Sequence, residues 1–324
     1  MSLLKKIILA IGLATLAYLL WKMDPRSVLA LLRRVGWGFG FILLQEVVPH
    51  GFNAAAWAFS YPSRSSRRAS FGRLFLYRVV GDGVNYLTPS ATIAGEFARA
   101  ALIEPEQPMG ALGAVVIAKC AQSLAQLLFI VLGLAVFLRG KIAFLAPLEG
   151  LILACAWAIC GGLALLAAWE LLRGRPAQAP PPISSAHPRA MAAALRDFFL
   201  AHPGRLAAAV FFFMLGYAWS GVEVLLGCHF LGLTIAWRTA MGVEVLSNVI
   251  DALLFMVPAK VGTQEAGKTA IFSMLGLPAK AGLAFGVVRH LRELTWAGTG
   301  LMLYYKALGQ KRAAAAKGRE AVQA

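Results

Sequence analysis

Asp82, Pro89 and Glu96 stand seven residues apart, and Lys119 follows 23 residues after Glu96. Asp251, Pro258 and Glu265 repeat the seven-residue spacing, and Arg289 follows 24 residues after Glu265. Acids and bases in this order can hold a charged ligand, carry protons or neutralise one another. All of them lie in or beside stretches apolar enough to enter a bilayer, where an ionised group is costly and seldom idle. A duplicated, proline-broken, charge-bearing unit predicts a transporter-like site between two repeats.

The neighbouring residues support that reading. Unit one reads Gly81-Asp82-Gly83-Val84-Asn85 before Pro89 and Gly95-Glu96-Phe97-Ala98-Arg99 after it; unit two has Asn248 and Asp251 before Pro258, then Gly262-Thr263-Gln264-Glu265. Proline pushes its predecessor out of helical geometry and so ends the first arm. Thr88, Ser90, Thr92, Thr263 and Gln264 are suited to cap the second arm. Glu96 and Glu265 then sit at its N-terminal end, where the helix dipole favours negative charge or an anionic ligand.

Lys119 and Arg289 fall inside apolar helices and need partners, with the acids of either repeat as candidates and Glu293 within i, i+4 reach of Arg289. The expected headgroup-binding set is Lys119, Arg289, Arg99, Asn85, Asn248 and Gln264. Asp82, Glu96, Asp251, Glu265 and Glu293 are the cavity acids or proton carriers, and Pro89 and Pro258 the hairpin breaks. The alternative is a set of structural salt bridges holding two broken helices in register. Glu46, His50 and Asn53, which share a helix face, and Glu223 are weaker candidates for the same polar wall.

The elements that must position these residues are helices in a membrane. The chain is 59% hydrophobic, its mean hydropathy is +0.70, and apolar runs of transmembrane length recur along it. Its formal charge is +16, from 31 Lys+Arg against 15 Asp+Glu. The basic residues lie mainly between the apolar segments, where they orient helices and meet anionic phospholipid, so nucleic acid is not an expected partner. Cys120, Cys155, Cys160 and Cys228 form no CxxC pair and the five histidines no metal spacing, so no cofactor or metal is expected. The apolar run Ile7–Leu20 after Lys5 and Lys6 lacks a small-x-small cleavage site and reads as an uncleaved first helix over about 3–21.

Further helices are expected over about 37–59, 109–138, 148–172, 206–231 and 281–305, with an interfacial amphipathic stretch after Asp24-Pro25. The expected fold is all-α: one polytopic transmembrane domain over 1–306, with about six spanning helices plus two re-entrant hairpins in an inverted repeat. Unit one covers about 71–138, unit two about 238–305, a proline-rich cytoplasmic linker about 173–205, and a basic, disordered tail 307–324. If both broken units were single crossings, the basic loops at 62–73 and 173–205 would lie on opposite faces. If both re-enter, these loops and both termini share the cytoplasmic face, as positive charge requires.

The segments Asn85…Pro89…Gly95-Glu96…Arg99 and Val257-Pro258-Ala259-Lys260-Val261-Gly262-Thr263-Gln264-Glu265-Ala266-Gly267…Leu275-Gly276-Leu277-Pro278 resemble the flippase-like transmembrane domain of lysylphosphatidylglycerol synthases, with Arg289 and Arg292 at the place of a basic residue on the final helix. The closest flavour is the stand-alone branch associated with hopanoid biosynthesis. The resemblance implies lipid translocation or handling in a bacterial inner membrane. The aminoacyl-lipid synthases carry a soluble catalytic domain after the membrane part, whereas about twenty residues follow the last helix here, so synthase activity is not implied.

Three classes of function remain. A translocase would take a polar or anionic lipid headgroup into a charged cavity between the repeats. A non-catalytic scaffold would bind lipid-synthesis partner proteins. An intramembrane enzyme would need a nucleophile–base pair or metal motif, and neither is present, so no enzymatic activity is expected.

Overall fold

The computed structural model describes residues 25–61, 69–87, 94–103, 108–138, 149–173, 188–253 and 262–323, with Tyr18, Trp21, Pro147 and Lys260 besides. Among them are twelve α-helices and no strand. The expected first helix over 3–21 lies essentially outside the described residues, as do Pro89, Pro258 and the capping candidates Thr88, Ser90 and Thr92.

Helix α1 (Pro25–Val35) opens on proline and closes on Arg33 and Arg34, an order that suits both the missing N–H and the helix dipole. Val28 and Val35 are buried while Leu29 faces out, which narrows the apolar face expected of this stretch. Gly36, at φ 45°, turns the chain into α2 (Gly38–Gln45); α1 is bent by 70° from the run that follows. That run is not one helix. A turn at Glu46 separates α2 from α3 (Val47–Phe59).

The two broken units share one layout. Unit one has α4 (Phe71–Leu87), α5 (Ala94–Ile103) and the long α6 (Pro108–Phe137). After α7 (Glu149–Arg173), α8 (Pro188–Ala201) and α9 (Pro203–Phe230), unit two has α10 (Trp237–Leu253), α11 (Thr263–Met274) and the long α12 (Ala279–Gln323). The linker expected at 173–205 therefore contains a helix, α8. The tail expected to be disordered continues α12 as helix to Gln323; its Ala-, Lys- and Arg-rich composition favours helix over disorder.

Packing between the units is reciprocal: the first arm of each lies on the long helix of the other. α4 meets α12 at Gly83 and Gly300, where a Cβ on Gly83 would come 2.7 Å from the Ala297 carbonyl oxygen. α10 meets α6 where Val245 fills the space over Gly133. Helices that approach this closely need residues without side chains at the crossing.

Two apolar cores lie along the bundle. One gathers Trp57, Tyr61, Ala69, Leu74, Leu112 and Phe213; the other gathers Val28, Val35, Leu138, Leu231, Met241 and Phe285. α6 and α9 contribute to both. Arg205 at the start of α9 donates to the Ala58 and Tyr61 carbonyls at the end of α3. Arg238 at the start of α10 donates to the Phe137 carbonyl at the end of α6. Unit one thus begins beside the first core and unit two beside the second.

The chain is an all-helical membrane protein. Among the described residues Leu112–Phe137 and Pro203–Phe230 are long and apolar enough to cross a membrane, and the bent pair Arg26–Val35 and Gly38–Phe59 makes a third if it is one span. That is fewer than the six expected crossings. Of the other three, 3–21 lies essentially outside the described residues, α7 enters only as the shorter apolar stretch Gly150–Gly162, and in α12 buried arginines, a histidine and a glutamate interrupt the apolar run.

Candidate functional site

In unit one the stripe Arg78, Asp82, Asn85 runs down one face of α4 at i, i+4 and i+7. α5 crosses it where Gly95 and Gly81 face each other without side chains. The Gly95 N–H donates to Asn85 Oδ1 at 2.7 Å, and Asn85 Nδ2 lies 3.5 Å from Glu96 Oε1. Arg99, fully buried, is the hub: it donates to Glu96 Oε2 at 2.8 Å and to Asp82 Oδ1. Arg78 Nε donates to the other Asp82 oxygen at 2.9 Å. His50 of α3 approaches the same oxygen at 3.6 Å. Lys119 lies in the electrostatic field of Glu96 and Asp82, but no acid among the described residues comes within ion-pair distance of it.

In unit two the corresponding stripe on α10 is Glu244, Asn248, Asp251. Arg289 of α12 grips Glu244 with two nitrogens, Nη1 to Oε2 at 2.6 Å and Nη2 to Oε1 at 3.1 Å. This bidentate geometry is the strong form of the pair. Its Nε also faces Glu223 of α9 at 3.7 Å and Glu293 at 3.9 Å. Asn248 donates to Glu244 Oε1 at 3.0 Å and accepts from Gln126 of α6 at 3.3 Å. One helical turn along α12, Arg292 pairs with Glu46, with Glu223 at 2.8 Å and with Glu293 at 3.4 Å. Gln264 donates to Glu293 at 3.2 Å.

Gly262 adopts φ 76° and starts α11, a conformation that glycine reaches without Cβ strain. Its N–H donates to Glu265 Oε2 at 2.9 Å, so the acid caps its own helix. The other oxygen, Oε1, lies 2.7 Å from His290 Nδ1 of α12. Asp251 pairs with Lys260 at 3.1 Å. Thr263, expected to cap, instead donates to the Lys260 carbonyl at 3.0 Å.

The two networks approach each other along α3 and α12. His50 faces Asp82 on one side and packs on Trp296 at 4.9 Å on the other. Tyr86 of unit one meets His290 of unit two edge-on at 6.3 Å. Asn53, from the same face as Glu46 and His50, stands beside Gly216 of α9 rather than in either network.

Reading the sequence missed several members. Arg78 and Glu244 complete stripes that the spacing 78, 82, 85 and 244, 248, 251 already announces. Lys268, buried, stands three residues after Glu265 as Arg99 stands three after Glu96. Its ammonium lies in the field of Arg289 first, with Asp251 and Glu244 opposing it. Arg289 pairs chiefly with Glu244, which had not been singled out, and only at longer range with Glu293.

A helical membrane bundle with two buried ionic networks, each on a broken helix unit, defines a class of membrane protein with a polar interior. The model of the family described as the lysylphosphatidylglycerol synthase TM region matches residues 6–300. The chain belongs to that family, and its function is related to membrane lipid. No curated protein and no solved structure matches it.

Proposed function

We propose that the protein is an inner-membrane lipid translocase, moving a polar or anionic lipid, with a hopanoid-related lipid as one candidate, through a charged passage between the two units. The observation that carries this reading is the pair of buried networks, centred on Arg99 and on Arg289, on paired-helix units that begin beside different cores. A bundle held only by packing has no use for so many desolvated ions, since apolar residues of similar volume serve stability as well or better. Inverted repeats with broken helices at the midplane are the usual frame for alternating access.

In this reading the chain crosses the membrane about six times, the two broken units re-enter, and both termini are cytoplasmic. The headgroup meets Arg99, Lys119 and Arg289, with Asn85, Asn248 and Gln264 as polar contacts. Asp82, Glu96, Asp251, Glu265 and Glu293 hold the cations in its absence. The protein works without cofactor and is not an enzyme. A scaffold for lipid-synthesis proteins is the alternative.

Reconstitution decides between them. Wild-type protein in liposomes moves labelled anionic lipid between leaflets, and Arg289→Gln and Glu265→Gln lower the rate by more than their loss of folded protein in the same preparations. Loss of movement only in step with loss of folded protein favours the scaffold. Full movement by Arg289→Gln removes that residue from the mechanism.

A further inference from the structure

The charges around Arg289 and Arg292 do not balance. Two guanidiniums are shared by four carboxylates, those of Glu46, Glu223, Glu244 and Glu293; the buried ammonium of Lys268 acts on Glu244 without an ion pair among the described residues and offsets one of the two surplus charges, leaving one. The nearby pairs Asp251–Lys260 and Glu265–His290 are each made within themselves. Glu223 is the least satisfied of the four. It is 1% exposed, and neither of its oxygens accepts a hydrogen bond from the described residues. Oε2 is close to Arg292 Nη1, at 2.8 Å, but without hydrogen-bond alignment; Oε1 has no hydrogen bond among the described residues.

The field at Glu223 is set mainly by Arg292 and Arg289 of α12, with Glu46 before α3 and Glu244 of α10 opposing them. Glu293, also on α12, competes for both guanidiniums. The other carboxylates hold better-aligned partners. Glu244 is gripped by two guanidinium nitrogens and an amide, and Glu46 accepts from Arg292 and Gln45. Glu293 accepts from Gln264 and Arg292.

The geometry points to Glu223 as a proton-binding site that couples lipid movement to proton transfer across the membrane. A proton neutralises one surplus carboxylate without needing a ligand shell, whereas a metal cation would be repelled by the two guanidiniums beside it. The proton comes from water and sits on a carboxyl oxygen of Glu223. When an anionic headgroup takes Arg292 or Arg289, Glu223 loses part of its counter-charge and binds the proton. When the headgroup leaves, the guanidinium returns and the proton is released to water on the other side. One proton accompanies one headgroup, so no further reactant is needed. This coupling rests on the translocase reading, but the proton site itself does not.

Two measurements on the full chain in liposomes test it. Infrared titration of the wild type through the near-neutral range is expected to show a band of a protonated, buried carboxyl that appears as pH falls. Glu223→Gln loses that band, Glu96→Gln, which removes an acid of the other network, keeps it, and Glu223→Asp, which retains a carboxyl, keeps it at a shifted frequency should the Gln variant fold poorly. Absence of any such band in the wild type, or its persistence in folded Glu223→Gln, overturns the site. In the second measurement an imposed pH gradient accelerates movement of labelled anionic lipid by the wild type several-fold, and Glu223→Gln loses the acceleration. An acceleration that survives in Glu223→Gln overturns the coupling. If the wild type moves no lipid at all, the translocase reading falls and the coupling with it, while the infrared result still decides the proton site.

Discussion

Arg289 and Glu244 form the tightest buried pair of unit two, yet the two partners are not equivalent. The guanidinium has three acids to choose from, while those acids share only two arginines. Removing a cation strands buried carboxylates; removing one carboxylate leaves the cation others. Arg289→Gln is therefore expected to destabilise the protein by about 3–5 kcal/mol, the range for breaking a buried pair. Glu244→Gln is expected to cost about 1–3 kcal/mol, nearer the loss of aligned hydrogen bonds alone. Thermal unfolding of both in one detergent checks the order, and an equal or reversed ranking would show that the surplus of acid is not felt. Arg99 differs because it serves one acid on each side, Asp82 and Glu96. Arg99→Lys keeps the charge but loses the planar fork, so it should not rescue the stability that Arg99→Gln loses. A lysine variant that melts with the wild type would mean that charge alone matters there.

At the scale of elements, the two units are fastened to each other by glycine crossings. A methyl group on Gly83 would press on the Ala297 carbonyl, and one on Gly133 on the Val245 side chain. Gly83→Ala and Gly133→Ala are each expected to lower stability by about 1–3 kcal/mol through overpacking. Gly133→Ala should be the milder because its neighbour is a side chain. Gly161 on α7 has open space around its Cα, so Gly161→Ala should leave the melting temperature unchanged or raise it. The same melts locate the third glycine device. Gly262→Ala forces a residue with a Cβ into φ 76° and should cost about 1–2 kcal/mol, weakening the cap that presents Glu265 to His290. A melt indistinguishable from wild type would show that α11 starts equally well without the left-handed turn.

The whole molecule is expected to carry its units in opposite orientations. The end of α5 and the end of α11 hold equivalent places in the order of the two units. In a variant stripped of its four native cysteines, Glu106→Cys and Pro278→Cys should react with a membrane-impermeant probe from opposite sides. Reaction of both from the same side would remove the inverted arrangement and, with it, the frame for alternating access.

Much of this was present in the chain before it folded. Apolar runs of membrane length fix an all-helical protein, because an unpaired backbone in hydrocarbon is too costly for any open sheet. The shared spacing of Asp82, Pro89 and Glu96 with Asp251, Pro258 and Glu265 marks the two units, since a charge in an apolar stretch is itself a signal. The partners were decided elsewhere. Helical periodicity places Arg289 on a face, but not which of α9, α10 or α11 that face meets; the tertiary packing sets it against Glu244 and Glu223. Lys119, equally conspicuous in the chain, ends without an ion pair among the described residues, and so does buried Lys268, although it stands in sequence after Glu265 as Arg99 stands after Glu96. An ion pair forms or fails over about one ångström, through helix rotation and depth that many distant contacts set together. Sequence spacing names the charges that must be satisfied, and only the assembled bundle determines by which neighbours.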